Sequence, residues 1–191
     1  MDLILASQSP RRKELMGFFK LPFLIRAADI DESMDPEQDP RQEVARVSRA
    51  KALATERKDT DVVIAADTIV VCDGQVLGKP ENEADAVRML TMLSGRWHQV
   101  MTGLTVLRGE RIESVTEVAD ICFRELSRGE IEAYVRTGEP MDKAGSYAIQ
   151  GGAALFAEQI RGDFYNVMGL PVCRLGQLLR QVAPELTEES K

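Results

Sequence analysis

The chain has 191 residues, 24 lysines and arginines against 31 aspartates and glutamates, a formal charge of −7, and 44% hydrophobic and 29% charged content. That length suits one sizeable core, a single domain with room for two lobes, and the acidic balance argues against a protein that coats nucleic acid. No stretch approaches the ~20 apolar residues that cross a bilayer, and the N-terminal apolar run lacks a basic leader, so the expected address is cytoplasmic with no membrane partner.

In chain order, Leu3-Ile4-Leu5-Ala6 reads as a short buried strand, broken by Ser7-Gln8-Ser9-Pro10. Ser9 is an N-cap serine and Pro10 a first-turn proline, so a helix should begin there. Arg11, Arg12 and Lys13 then fall in its first turn, where the macrodipole disfavours each cation by roughly 0.3–1 kcal/mol. A strand, a tight turn and a helix N-terminus make an anion site, and added arginines point to phosphate. Taken alone, the segment also reads as a solvated basic turn.

Pro22-Phe23-Leu24-Ile25 suggests a second strand leading into the acidic loop Asp29-Ile30-Asp31-Glu32, and Asp39-Pro40 opens a helix to about Arg57. Val62-Val63-Ile64-Ala65-Ala66 is a buried strand that continues through Asp67-Thr68 into Ile69-Val70-Val71. Asp73-Gly74 predicts a two-residue hairpin turn into Gln75-Val76-Leu77, an arm ended by Gly78-Lys79-Pro80. Asn82 caps a helix with Val87, Leu90 and Leu93 on one face and Gly95 past its end.

Two long strands are expected near His98–Leu107 and Ile112–Phe123, joined by Arg108-Gly109-Glu110-Arg111. Ser127-Arg128-Gly129-Glu130 is a capping box for a helix through about Arg136, with Gly138 as its stop. Loops rich in small residues follow at 142–147 and 150–152. A strand near Ala153–Gln159 and a helix near Pro171–Val182 complete the body. The acidic tail from Pro184 to Lys191 is expected to be disordered. The alternation of strand-like and helix-like segments, without a long linker or repeat, gives an α/β fold over residues 1–183.

Four side chains break the pattern. Asp67 interrupts an apolar run, and a bare buried carboxylate is costly unless paired, hydrogen-bonded or metal-bound; it is either a site residue or bonds nearby backbone at a bulge, and strand-embedded carboxylates favour the former. Lys51 projects between Val44 and Val47 and close to Ala54, on the apolar side of its helix. It either reaches over the core edge into a cleft or snorkels into water. Lys79 precedes a proline that holds it extended, although a lysine at a strand end is ordinarily a solvated charge. Glu32, in the acidic loop, is a candidate to bind a divalent cation together with Asp67.

Cys72, Cys122 and Cys173 are odd in number and set in apolar runs, so they read as reduced core residues rather than a disulfide frame or zinc site. His98, the single histidine, reads as structural, leaving acid–base work to carboxylates. Neither G-x-x-x-x-G-K-[ST] nor G-x-G-x-x-G occurs, which disfavours P-loop and dinucleotide-binding mechanisms.

Taken in this order, Ser7-Gln8-Ser9-Pro10-Arg11-Arg12, Ala66-Asp67-Thr68, Gly78-Lys79-Pro80, Ser94-Gly95, Asp142-Lys143-Ala144-Gly145 and Gly169-Leu170-Pro171 resemble the Maf family over nearly the whole chain. Members are known as septum-formation inhibitors and as house-cleaning nucleoside triphosphate pyrophosphatases. The resemblance implies a mixed twisted sheet with flanking helices, two lobes around a central cleft as in the inosine triphosphate pyrophosphatases, and a homodimer. It implies Asp67 as general base, Arg12, Lys51 and Lys79 as phosphate-handling cations with help from Ser9, and Mg²⁺ or Mn²⁺ held by Asp67 and Glu32. The reaction implied is hydrolysis of an acid anhydride, with water attacking the α-phosphorus and expelling pyrophosphate.

The positions resembling the family's specificity residues are Arg11, Thr68 and Gln150. In the subgroup resembling 7-methyl-GTP pyrophosphatases they tend to be an aromatic residue, glutamine and glutamate, and this chain departs at all three. A glutamine amide offers an acceptor for a uracil-type N3–H and a donor for O4, whereas glutamate would accept two N–H donors from a guanine edge. The expectation is therefore a dTTP/UTP pyrophosphatase, with modified pyrimidine triphosphates as further substrates. Its rivals are a nucleotide-sensing regulator of septum formation that acts without turnover, and a pyrophosphatase for methylated guanosine triphosphate.

Overall fold

The apolar runs become the strands of one mixed sheet. In the computed structural model, which describes residues 1–188, these are β1 (Leu3–Leu5), β2 (Leu24–Ile25), β3 (Val62–Cys72), β4 (Gln75–Leu77), β5 (Trp97–Arg108), β6 (Arg111–Phe123) and β7 (Ala157–Arg161). Their order is β2-β1-β3-β5-β6-β7, with β4 beside β3. β1 runs parallel to β2 and β3, whereas the pairs β3–β4 and β6–β7 are antiparallel. The flanking helices are α1 (Pro10–Met16), α2 (Pro40–Ala54), α3 (Glu83–Leu93), α4 (Arg128–Val135), α5 (Phe164–Met168), α6 (Val172–Val182) and α7 (Glu185–Glu188).

The chain divides into two compact units. The first takes residues 1–67, 102–117 and the chain from Gly169 onward; the second takes 68–101 and 118–168. In the first unit, Leu3, Ile4 and Leu5 pair with Val62, Val63 and Ile64. Ile4, Ala6, Val63 and Ala65 bury together with Ala52 of α2 and Leu107 of β5. Buried on both faces, β3 can stay apolar at nearly every position, as strands of parallel pairs do. α2 starts where Asp39 accepts from the Arg41 N–H at 2.9 Å and Pro40 supplies the first turn. Gly103 of β5 lets α2 approach, because a Cβ there would meet the Val44 carbonyl oxygen at 2.2 Å. Ser48 and Thr105 hydroxyls, 2.8 Å apart, pin the same contact.

In the second unit, Asp73 (φ 49°) and Gly74 (φ 78°) make the positive-φ turn that a two-residue hairpin demands. Asn82 caps α3 by accepting from the Asp85 N–H at 3.0 Å, and the Ser127–Glu130 capping box starts α4. His98, Phe123, Tyr147 and Phe156 pack edge to face in its core.

Several boundaries differ from the sequence reading. α2 stops at Ala54 rather than near Arg57, because the Thr55 hydroxyl donates to the Lys51 carbonyl and Arg57 Nη1 closes the end on the Leu53 carbonyl. β7 begins at Ala157, since Gly152–Leu155 turns as a 3₁₀ segment where a strand was expected. α5 was not foreseen; Asp163 starts it by accepting from the Tyr165 N–H at 2.8 Å. Cys72 is buried as expected, but Cys173 is exposed on α6. Within the tail, Glu185–Glu188 forms a helical turn whose Glu185 pairs with Arg108 at 2.6 Å, and residues 189–191 lie outside the described residues.

Candidate active site

Asp67 lies where the buried run of β3 ends its passage through the first unit, and the side chain is nearly enclosed. Its partner is Lys51. α2 is anchored by the fully buried Val44, Val47 and Ala52, so its apolar face carries the Lys51 stem inward. The Lys51 ammonium donates to Asp67 Oδ1 at 2.7 Å and lies 2.9 Å from Glu32 Oε1. Of the two readings left open for Lys51, the ammonium takes the inward one. Asp67 is paired with a side chain rather than with backbone at a bulge.

Glu32 is half exposed, but the residues that follow it are tied to α2. Arg46 Nη2 donates to the Ser33 carbonyl at 2.7 Å, and the Asp35 N–H donates to Glu43 Oε2 at 3.0 Å. Hydrogen bonds from Arg46 and from the Asp35 backbone hold the Glu43 carboxyl down at about 2, so this tether stays charged through the neutral range. Sequence reading missed both Arg46 and Glu43, which look like ordinary solvated charges on a helix.

The expected turn into a helix at Ser9-Pro10 exists, with a correction. Ser9 adopts the N-cap conformation and its hydroxyl does not bond the helix. α1 is only seven residues long, so Lys13 falls in its last turn, where the dipole favours a cation. Arg11 and Arg12 remain at the unfavourable end, and Arg12 is locked in place. Its Nε donates to the Gly169 carbonyl at 2.8 Å and its Nη1 to Ser7 Oγ at 3.2 Å, while Ser7 Oγ also accepts from the Ser9 N–H at 3.2 Å. Gly169, at φ 108°, takes a backbone conformation that a side chain would strain. Burial pulls the Arg12 pKa below its ordinary value, the negative fields of Asp67 and Glu32 pull it back up, and Arg11 opposes them. Asp67 and Glu32 thus offset only part of the cost of burying a cation at this helix end.

The first unit therefore brings Arg12, Glu32, Lys51 and Asp67 into one electrostatic group, with Arg11 acting on Arg12 and Ser9 in the adjoining turn. Thr68, Lys79 and Gln150 belong to the second unit. Thr68 follows Asp67 directly and, by strand alternation, points from the opposite face. Lys79 is exposed in a segment held by the Gly145 N–H donating to the Gly78 carbonyl at 3.0 Å. Gln150 is exposed at the tip of a turn. His98 is buried against Tyr147, 3.0 Å from its hydroxyl, in keeping with a structural role. Two fixed cations beside two carboxylates can hold an anion against a group able to take a proton.

A family model described as "Maf-like protein" matches residues 2–182. The dTTP/UTP pyrophosphatase of Moorella thermoacetica is 49% identical over 180 residues, covering 93% of each chain. That of Aquifex aeolicus is 43% identical over 95% of this chain and 96% of its own. A solved HAM1 protein from Coxiella burnetii superposes with a TM-score of 0.52 at 14% identity over 95% of this chain and 100% of its own, a likeness of fold. The chain belongs to the Maf-like protein family.

Proposed function

We propose that this protein is a nucleoside triphosphate pyrophosphatase that hydrolyses dTTP and UTP to the monophosphate and pyrophosphate. The observation that carries the reading is the enclosed Asp67 carboxylate, paired with Lys51 and lying in the field of Arg12. Relatives named dTTP/UTP pyrophosphatase, at 42–49% identity over nearly the whole chain, support it.

On this reading Asp67 takes a proton from a water whose oxygen bonds to the α-phosphorus, and the bridging P–O bond to the β-phosphate breaks. Lys51 first has to leave Oδ1, which frees that oxygen to accept the proton. A triphosphate carries more negative charge than one carboxylate and draws the ammonium away. Arg12, partly buried and fixed by Gly169, contributes a cation that needs little reorganisation. Ser9 and Lys79 are assigned to the phosphates, and Arg11, Thr68 and Gln150 to the base, by the family resemblance.

A divalent cation fits the donor set. Glu32 and Asp67 both address one small cation, the Lys51 ammonium, so their oxygens are within reach of a common centre. Mg²⁺ and Mn²⁺ are held in this way, by one or two carboxylates completed with water and substrate phosphates. No group of three or more metal-type side chains occurs among the described residues. When bound, the ion neutralises charge on the phosphate oxygens. No helix among the described residues is long and apolar enough to cross a membrane; a cytoplasmic address and a homodimer complete the proposal.

The test is pyrophosphate release from a panel of nucleoside triphosphates with Mg²⁺ or Mn²⁺. The proposal expects the highest kcat/KM for dTTP and UTP. A folded sample inert towards both overturns it.

A further inference from the structure

The turn that carries Gln150 is held on both flanks by one phenol–carboxylate pair. The Gly151 N–H donates to the Ala148 carbonyl at 3.0 Å, closing a four-residue turn in which buried Ile149 and exposed Gln150 are the central residues. On one flank the Ala148 N–H donates to the Tyr134 hydroxyl at 3.1 Å. On the other, the Gly152 N–H donates to Glu139 at 3.0 Å from Oε1 and 3.3 Å from Oε2. The two clamps are one unit, because the Tyr134 hydroxyl itself donates to Glu139 Oε1 at 2.6 Å.

The two glycines of the loop exist for this pair. A Cβ on Gly151 would lie 2.3 Å from Glu139 Oε1, and one on Gly152 3.0 Å from the Tyr134 ring. A side chain at either position would push the carboxylate or the ring away from the backbone amides they bind. The pair is itself fixed: the Tyr134 ring packs edge-on to Phe156 with centroids 5.2 Å apart, and the Glu139 N–H donates to the Thr137 hydroxyl at 3.2 Å. A charge-assisted bond of this length is stronger than a neutral one. It is spent on ordering a surface turn whose single exposed central side chain is Gln150.

We propose that Tyr134 and Glu139 are positioning residues for base selection, holding the Gln150 amide in the orientation that distinguishes a pyrimidine edge from a guanine edge. This rests on the reading of Gln150 as a base contact. A freely rotating tip could still bind triphosphate, but it would pair its acceptor and donor with either edge. Fixing the backbone on both sides of residue 150 restricts the arc through which the amide swings.

The experiment compares kcat/KM for dTTP and dGTP in Tyr134→Phe, Glu139→Ala, Glu139→Gln and Gln150→Ala, together with amide hydrogen exchange at Ala148 and Gly152. Tyr134→Phe keeps the ring packing and deletes only the hydroxyl. The expected result is a fall of about threefold to tenfold in the dTTP:dGTP ratio for Tyr134→Phe and Glu139→Ala, the scale of a lost hydrogen bond. The KM for dTTP should rise more than kcat falls, and exchange at both amides should accelerate. Glu139→Gln, which keeps an acceptor, should restore most of the ratio, and it serves as the readout if Glu139→Ala does not fold. Adding Tyr134→Phe to Gln150→Ala should cost no further selectivity.

If Gln150→Ala collapses the ratio while Tyr134→Phe and Glu139→Ala leave it intact, or lower both substrates equally, the positioning role is overturned and the base-reading role stands. If Gln150→Ala itself leaves the ratio unchanged, the base-reading role fails and the positioning proposal falls with it.

Discussion

The Lys51 ammonium sits 2.7 Å from Asp67 Oδ1, joining the last inward turn of α2 to the point where the apolar run of β3 first carries a charge. With both side chains about 11% exposed, the pair is shielded from solvent, and removing one member strands the other. Lys51→Met keeps the stem and deletes the charge. We expect it to lower stability by about 3 kcal/mol, the lower end for a broken buried pair. Urea denaturation measures this, and pyrophosphate release should fall sharply in the same variant.

Asp67→Asn keeps the shape and leaves Lys51 paired with Glu32. Turnover should drop by roughly 10²–10⁴-fold, the usual contribution of a positioned base, while circular dichroism and KM stay near the wild-type values. Undiminished turnover would remove Asp67 from its assigned role.

Gly103 tests the support beneath Lys51. Alanine there would place Cβ 2.2 Å from the Val44 oxygen and 2.5 Å from the Val44 carbonyl carbon, both backbone atoms with nowhere to go. α2 must move away from β5, and Lys51 moves with it. We expect Gly103→Ala to cost on the order of 1–3 kcal/mol as overpacking does, and kcat/KM to fall although no substrate contact is altered. A variant with wild-type melting temperature and activity would contradict this account of the helix position.

How much of this could be read from the chain differs by residue. Asp67 and Lys51 stood out because each is a charge at a position whose neighbours are apolar, and periodicity exposes such a mismatch. Asp73-Gly74, Asn82 and the Ser127–Glu130 box were legible because their signals are complete within four residues. The boundaries near Ala54 and Ala157 were not, since they depend on side chains bonding backbone groups that periodicity does not reveal. Arg46, Glu43, Tyr134 and Glu139 were missed because each also bonds a backbone group of a loop, and a polar side chain that does so has the same local pattern as a solvated one. The cation at Lys13 was misplaced because the length of α1 decides whether it meets the positive or the negative end of the helix.

His98 gives a pH prediction that the chain's single histidine makes assignable. Burial lowers its pKa from 6.5 to about 4, so the folded protein keeps it neutral while the unfolded chain takes up a proton below 6.5. Between these values the unfolded state binds more protons, and stability falls as pH drops through the window. The loss should reach roughly 3 kcal/mol by pH 4 and level off below. Urea titrations from pH 7 to 4 measure it. His98→Gln should flatten that dependence, and an unchanged slope would assign it elsewhere.

Gln150→Glu exchanges the amide donor for an acceptor. The kcat/KM ratio of dTTP to dGTP should fall by at least about tenfold, because the carboxylate sets a second acceptor against the O4 acceptor of thymine. Steady-state kinetics on the two substrates reads this directly.

The central claim is that water attacks the α-phosphorus beside Asp67. Hydrolysis of dTTP in ¹⁸O-labelled water, followed by mass spectrometry of the products, locates the attack. The account predicts the label in dTMP, with unlabelled pyrophosphate. Label in pyrophosphate, or release of labelled orthophosphate with dTDP, would contradict it.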